Sequence, residues 1–468
     1  MTESSSRWPS TRIIAWGITA IVVVVVVGPT YIRAFLPPDG AYTDFLQEWL
    51  SARNYLAGAP VYREVPDSLQ EHMPHRQRPD GSWPNIAFTD PATGAIIAEM
   101  KYNAHPPFAV LVAVPFALLE YPYAHLAWNL VTYGLFLAAI AVVLNELRVP
   151  FAWPALFPAI ILLLGNPVLN QLYQGQLNCL LASLITVAWV ADRRGRPALG
   201  GVAIGLAGAV KLYPLFLLIY FAFTRRWNGL AGGIMAFLVA NGVAGTVFGM
   251  EAFREYFLTV VPAVAGQFEK SWVNLSLHGF WQRLMGTEIL ASRLGPTKVC
   301  MVGRGLAWGG VLTVALVVAQ ACHRACTRED RDCAFALAVV ATLLVSPISW
   351  SHYSLLLLLP LALAWLRATS GPEMWLFGAI LGVLWLPPNF AAQVWLGQDA
   401  AAMFNDVSHP QLTIGENLGI VSVPHYAFVG LFLLVLRQGS KTGTAAVDQD
   451  PADCCQGLGR VDVRGLCG

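Results

Sequence analysis

The stretch RRGRPALGGVAIGLAGAVKLYP (residues 193–214) decides the fold class. Arg193, Arg194 and Arg196 are followed by an uncharged run to Val210, then by Lys211, and a second apolar run covers 212–224. Water cannot cover such runs cheaply, whereas a bilayer takes about 20 apolar residues as one helix. The rest of the chain repeats the pattern. Of its 468 residues 56% are hydrophobic and 12% charged, against about 25% charged in soluble domains. A water-soluble globule of this length needs a polar shell that the chain does not have. A net charge of +1 without a basic stripe argues against nucleic-acid binding. There is no repeat period, and the hydrophobicity is too high for a disordered chain.

Apolar runs near 13–31, 123–144, 151–165, 176–191, 198–210, 212–224, 229–248, 302–321, 333–347, 353–366, 374–388 and 421–436 predict about twelve spans. The class is therefore all-α, a polytopic transmembrane helical bundle. The alternating ten-residue segments of a membrane barrel are absent. The first run is followed by Gly28-Pro29-Thr30-Tyr31-Ile32-Arg33 rather than a small-residue cleavage site, so it reads as an uncleaved anchor. Each even-numbered span ends at a basic loop, from Arg148 through Arg193–Arg196, Arg225–Arg226, Arg324–Arg331 and Arg367 to Arg437 and Lys441. The positive-inside bias then predicts a multi-pass protein of the cell inner (plasma) membrane with both termini cytoplasmic. Pro106–Leu119 is too short for a crossing, contains Pro115 and would break this parity, so it reads as a helix at the outer interface. Outer polar segments fall at 37–105, 166–175, 249–300, 346–352 and 389–420. The 249–300 loop carries Arg254, Lys270, Arg283, Arg293 and Lys298, against the usual bias. Residues 1–437 form one transmembrane unit, and the aperiodic 438–468 reads as a disordered cytoplasmic tail.

Ionisable groups at the edge of an apolar layer are costly and point to function. Asp44 in AYTDFLQEW reads as a helix N-cap with Gln47 three residues on, or as a carboxylate held at the outer surface as a general base, and the two roles are compatible. Lys211, between two short runs, is a snorkelling cation or a phosphate ligand. Gln171, Gln174, Gln176 and Asn178 around Gly175 suit sugar hydroxyls, and amides also join helices. Trp350, His352 and Tyr353 in SPISWSHY share the outer side with His105, His278 and Arg283. Together they outline a cavity for an anionic, hydroxyl-rich ligand. Cys322, His323 and Cys326 lack zinc-site spacing, and no metal site is expected.

Several ordered pieces then carry a resemblance. TDF with NYLAGAPVY, HPPF, NPVLNQLYQGQLN, RRGRPALGGVAIGLAGAVKLYP, NLSLHGFWQRL and SPISWSHY span roughly residues 40–360. The chain resembles glycosyltransferase family 87 of the GT-C superfamily, the alpha-mannosyltransferase-like integral-membrane enzymes. The resemblance implies an acidic residue in the first outer loop, a juxtamembrane helix there, and transfer of a hexose, typically mannose, from a polyprenyl-phosphate sugar donor to an extracytoplasmic glycolipid or glycan acceptor. By carry-over Asp44 is the base, and Lys211, His352 and Arg283 face the donor phosphate. Gln176, Asn178, Trp350, Tyr353, His105 and His278 surround sugar and acceptor. No cofactor is implied beyond the lipid-linked co-substrate, and a phosphate leaving group suits single inverting displacement. Residues 63–103 depart from the family pattern. A lipid or solute transporter is the competing class; it predicts paired broken helices in both halves, and the pair 198–210/212–224 has no counterpart in the second half.

Overall fold

Glycine sets the closest helix packing. Helices Pro197–Val210 and Trp227–Phe248 approach so closely that a Cβ on Gly201 would lie 1.8 Å from the Gly229 carbonyl oxygen, and one on Gly205 2.2 Å from that of Gly233. Two small-xxx-small faces therefore meet backbone to backbone, the packing that apolar helices use where lipid is as greasy as leucine. The computed structural model describes residues 28–37, 43–76, 87–89, 96–99, 101–149, 162–268, 271–387 and 413–447, with positions 25, 159, 160 and 394.

Charge gathers at one end of the bundle. Glu146 accepts from Arg194 at 2.8 Å and Arg328 at 3.1 Å and pairs with Arg193 at 3.4 Å. Asp332 holds Arg193 and accepts from Trp189 Nε1 at 2.8 Å. Asp192 holds Arg226 and the Tyr220 hydroxyl, each at 2.7 Å. The arginines that follow several expected spans thus converge on three carboxylates, two of them, Asp192 and Asp332, buried. From this knot Asn178–Arg193 (16 residues) and Arg328–Val345 (18 residues) run to the opposite end, about 24 and 27 Å away at the helical rise.

At that opposite end three helices break. Asn166–Gln174 and Asn178–Arg193 meet at 116°. Their joint is Gly175, whose φ of +64° a side chain resists. A Cβ there would also sit 2.6 Å from Phe45 Cβ. Pro197–Val210 stops at Lys211, which is extended, and the chain resumes as a 3₁₀ turn Tyr213–Leu217. Arg328–Val345 stops before Ser346, and a 3₁₀ turn Ser351–Leu357 leads into Leu358–Arg367.

Several sequence expectations change here. Among the described residues three helices are long and apolar enough to cross a membrane, Tyr121–Glu146, Trp227–Phe248 and Thr297–Arg324, and up to five if each bent pair is one span. The count of twelve took each apolar run as a span, and several of the resulting helices are short, Pro197–Val210 with 14 residues and Leu358–Arg367 with 10 among them. The run 13–31 falls mostly outside the described residues, where helix Gly28–Phe35 alone represents it, and much of 151–165 lies outside them as well. The expected all-α class gains one short hairpin, Ala87–Thr89 paired antiparallel with Ile96–Glu99, inside the departing segment 63–103. Pro106–Leu119 forms helix Pro107–Ala113 and a 3₁₀ turn Phe116–Leu118, split at Pro115. Helix Val423–Val447 passes the expected boundary at 437, with Gln438 buried and donating to the Ala364 carbonyl at 3.1 Å. The rest of 438–468 lies outside the described residues.

Candidate functional site

The breaks surround a cavity of about 640 Å³. Asp44 enters it from the first turn of helix Asp44–Leu56. Its expected capping role is not what the structure has. Thr43 occupies the N-cap position without a side-chain cap bond, and its hydroxyl instead meets the Tyr121 hydroxyl. The Asp44 carboxylate accepts from Gln47 Nε2 at 3.2 Å and from Gln176 Nε2, while the Asp44 N–H donates to Gln174 Oε1 at 3.2 Å. Gln176 passes the connection on, because its Oε1 accepts from Lys211 Nζ at 2.8 Å. One amide therefore bridges the carboxylate and the ammonium. Burial pushes the Asp44 carboxyl above the usual carboxylate range; His105, the Gln176 hydrogen bond and Lys211 pull it back in part.

Lys211 is 5% exposed and its direct partners are neutral. Besides Gln176 it reaches the Tyr353 hydroxyl at 3.5 Å and lies 4.7 Å from that ring's centroid, a cation–π distance. Tyr353 stacks on Tyr213 with centroids 5.2 Å apart. His352 accepts or donates at Nδ1 with Asn170 at 3.2 Å, and its buried Nε2 has no hydrogen-bond partner among the described residues. Trp350 meets Phe268 edge-on at 5.5 Å. Val261, Val264, Phe268 and Val273 make one apolar wall, so polar and greasy surfaces share a single chamber.

Of the sequence candidates, Asp44, Lys211, His352, Gln176, Trp350, Tyr353 and His105 line this cavity. Three do not. Asn178 stands behind it, donating to Gln171 Oε1 at 3.1 Å and accepting from the Tyr213 hydroxyl at 3.2 Å, and Gln171 in turn grips the Gln176 carbonyl. Its amide shapes the loop that carries Gln176. Arg283 is buried elsewhere, donating to the carbonyls of Ser271 at 3.1 Å and Asn274 at 2.5 Å. His278 lies edge-on to Trp308 at 5.1 Å. Sequence reasoning missed Tyr213, Tyr256 and Asn170 as lining residues. Tyr213 had a signal, since it lies two residues past the lysine in KLYP.

Comparison with known proteins adds three findings. The family model described as glycosyltransferase family 87 matches residues 103–347. The chain is 27% identical over 393 residues to a polyprenol-phosphate-mannose-dependent alpha-(1-2)-phosphatidylinositol pentamannoside mannosyltransferase of Mycobacterium tuberculosis, covering 80% of each chain. It is 29% identical over 364 residues to a polyprenol-phosphate-mannose-dependent alpha-(1-2)-phosphatidylinositol mannoside mannosyltransferase of Mycolicibacterium smegmatis, covering 73% of this chain and 77% of that one. Among solved structures, ArnT from Cupriavidus metallidurans bound to undecaprenyl phosphate aligns at 17% identity with a TM-score of 0.40, covering 93% of this chain and 79% of that one.

Proposed function

The chain belongs to glycosyltransferase family 87, and from that premise we propose that it moves a hexose, mannose in our reading, from a polyprenyl-phosphate carrier to a hydroxyl of a glycolipid or glycan outside the membrane. The relatives named for polyprenol-phosphate-mannose support the donor. One observation carries the reading: the Asp44 carboxylate and the Lys211 ammonium face one cavity, tied by the Gln176 amide, with a greasy wall beside them. A lipid-linked sugar phosphate needs that combination, because its chain stays in hydrocarbon while its head meets polar groups.

The chemistry follows from the charges. Asp44 takes the proton of the acceptor hydroxyl as that oxygen attacks the anomeric carbon. The bond from this carbon to the phosphate oxygen breaks, and its electron pair leaves with the polyprenyl phosphate. Lys211 offsets the charge that grows there, and the free Nε2 of His352 serves the same phosphate or the adjacent sugar. Attack opposite the phosphate inverts the anomeric centre. Trp350, Tyr353 and His105 line the sugar and acceptor space. Arg283, His278 and Asn178 act on it only through the elements they hold. With the arginine knot cytoplasmic, the cavity opens on the extracytoplasmic side of the inner membrane.

The test is Asp44→Asn in membranes supplied with labelled polyprenyl-phosphate-mannose. Transfer to glycolipid falls at least about a hundredfold while insertion and thermal stability are kept. Equal turnover in the two proteins removes Asp44 from the reaction.

A further inference from the structure

Helix Asp44–Leu56 turns a polar edge toward the segment 103–105. Asp44, Gln47, Glu48 and Ser51 recur at helical spacing. Gln47 Oε1 accepts from the Ala104 N–H at 3.0 Å, and the Ser51 hydroxyl accepts from Asn103 Nδ2 at 3.1 Å. Between them the Glu48 carboxylate meets His105 Nδ1. The backbone of His105 is held as well. Its N–H donates to Asn103 Oδ1 at 3.0 Å, and its carbonyl accepts from the Tyr62 hydroxyl at 2.6 Å. Glu48 is 2% exposed and stands behind the cavity, whereas His105 is among the residues that line it. A carboxylate out of water is costly unless paired, and an ionised one only accepts. The proton between the two groups is therefore on Nδ1, which leaves Nε2 as the ring nitrogen for the cavity.

We propose that Glu48 is a positioning residue, orienting His105 so that its Nε2 makes a hydrogen bond with a hydroxyl of the acceptor, beside the one that Asp44 deprotonates. The proposal rests on the transferase reading. It divides the chamber by chemistry. Lys211 can only donate and suits an anion, while the Asp44 carboxylate accepts and, with the His105 ring, suits hydroxyls.

The experiment uses the full chain in lipid nanodiscs, with polyprenyl-phosphate-mannose as donor and phosphatidylinositol mannoside as acceptor probe. Glu48→Met raises the KM for acceptor about tenfold or more and moves the donor KM by less than about twofold. Glu48→Gln restores most of the loss, because its amide oxygen still accepts from Nδ1–H. In a His105→Ala background Glu48→Met adds less than about twofold. Acceptor and donor KM rising together, or effects of Glu48→Met and His105→Ala that multiply independently, overturn the proposal. A second measurement is independent of turnover and of any Glu48 variant. Histidine-labelled wild type gives a downfield Nδ1 proton resonance that disappears in His105→Asn, and its absence refutes the orientation. Wild type that transfers no mannose overturns the transferase reading together with the proposal. Wild type that transfers normally while Glu48→Met leaves the acceptor KM unchanged overturns only the proposal.

Discussion

Lys211→Met separates the cost of burying a cation from its use. The ammonium is 5% exposed, held by the Gln176 amide at 2.8 Å and the Tyr353 ring at 4.7 Å, with no carboxylate in direct contact among the described residues. A singly charged phosphate at about 4 Å interacts with it by about 4 kcal/mol at an effective dielectric of 20. Sharing the ammonium with its present neutral partners costs about 1 kcal/mol of that. The remaining 3 kcal/mol is roughly a 150-fold change in affinity. The assay is thermal unfolding of purified protein with and without polyprenyl phosphate. At about a hundred times the wild-type Kd the ligand stabilises wild type by about 2.7 kcal/mol, and the variant by about 0.3 kcal/mol. Without ligand the variant is no less stable, because methionine fills the same channel without a desolvated charge. Polyprenol, lacking the phosphate, shifts both proteins equally. An undiminished phosphate-dependent shift in Lys211→Met refutes the assignment.

Further outcomes follow from the electrostatics of Asp44 and from the glycine packing. Asp44 must be ionised to act as base, and burial raises its pKa from the ordinary 3.8, so kcat/KM falls with acid at a pH above that value, and an acid limb at or below 3.8 contradicts the role. The same raised value means the fold favours the protonated form, a stability term present below 3.8 and lost as pH rises through the folded value, so Asp44→Asn is no less stable than wild type at neutral pH. Gly201→Val drives a side chain into the Gly229 carbonyl 1.8 Å from its Cβ and lowers stability by about 3 kcal/mol or more in thermal unfolding. Gly134→Ala, with nothing within 4 Å of the new Cβ, does not destabilise.

Much of the site was legible because ionisable groups at the ends of apolar runs are expensive. Asp44, Lys211 and His352 stood out for that reason, and the fold brings them to one chamber. Asn178, Arg283 and His278 carried the same signal, but their partners are backbone carbonyls, amides and a ring that no residue pattern announces. The capping reading of Asp44 failed because Thr43 answers to Tyr121, 78 residues away. Glu48, one turn from Asp44, reads in the sequence only as a second carboxylate that single displacement does not need. The polar residues at 44, 47, 48 and 51 have equal periodicity, and only the burial of Gln47, Glu48 and Ser51 makes it informative. The run boundaries at Lys211 and 346–352 did mark two of the breaks, but counting by length took the short pieces on either side as full spans, since mean hydropathy does not say how far a helix reaches.

The three joints at the chamber have a consequence for how its selectivity changes. A helix that ends leaves up to four main-chain carbonyls or amides without partners inside it. Some are taken here: the Gly175 carbonyl by Trp128 at 2.7 Å, the Gln176 carbonyl by Gln171, and the Ser346 N–H by Thr342 at 3.2 Å. Main-chain groups at such joints cannot be exchanged one at a time by the genetic code. Alanine scanning is blind to them. Saccharide preference in such a chamber is therefore reset by inserting or deleting residues at 174–178, 211–213 or 346–350, more readily than by exchanging any one letter of the sequence.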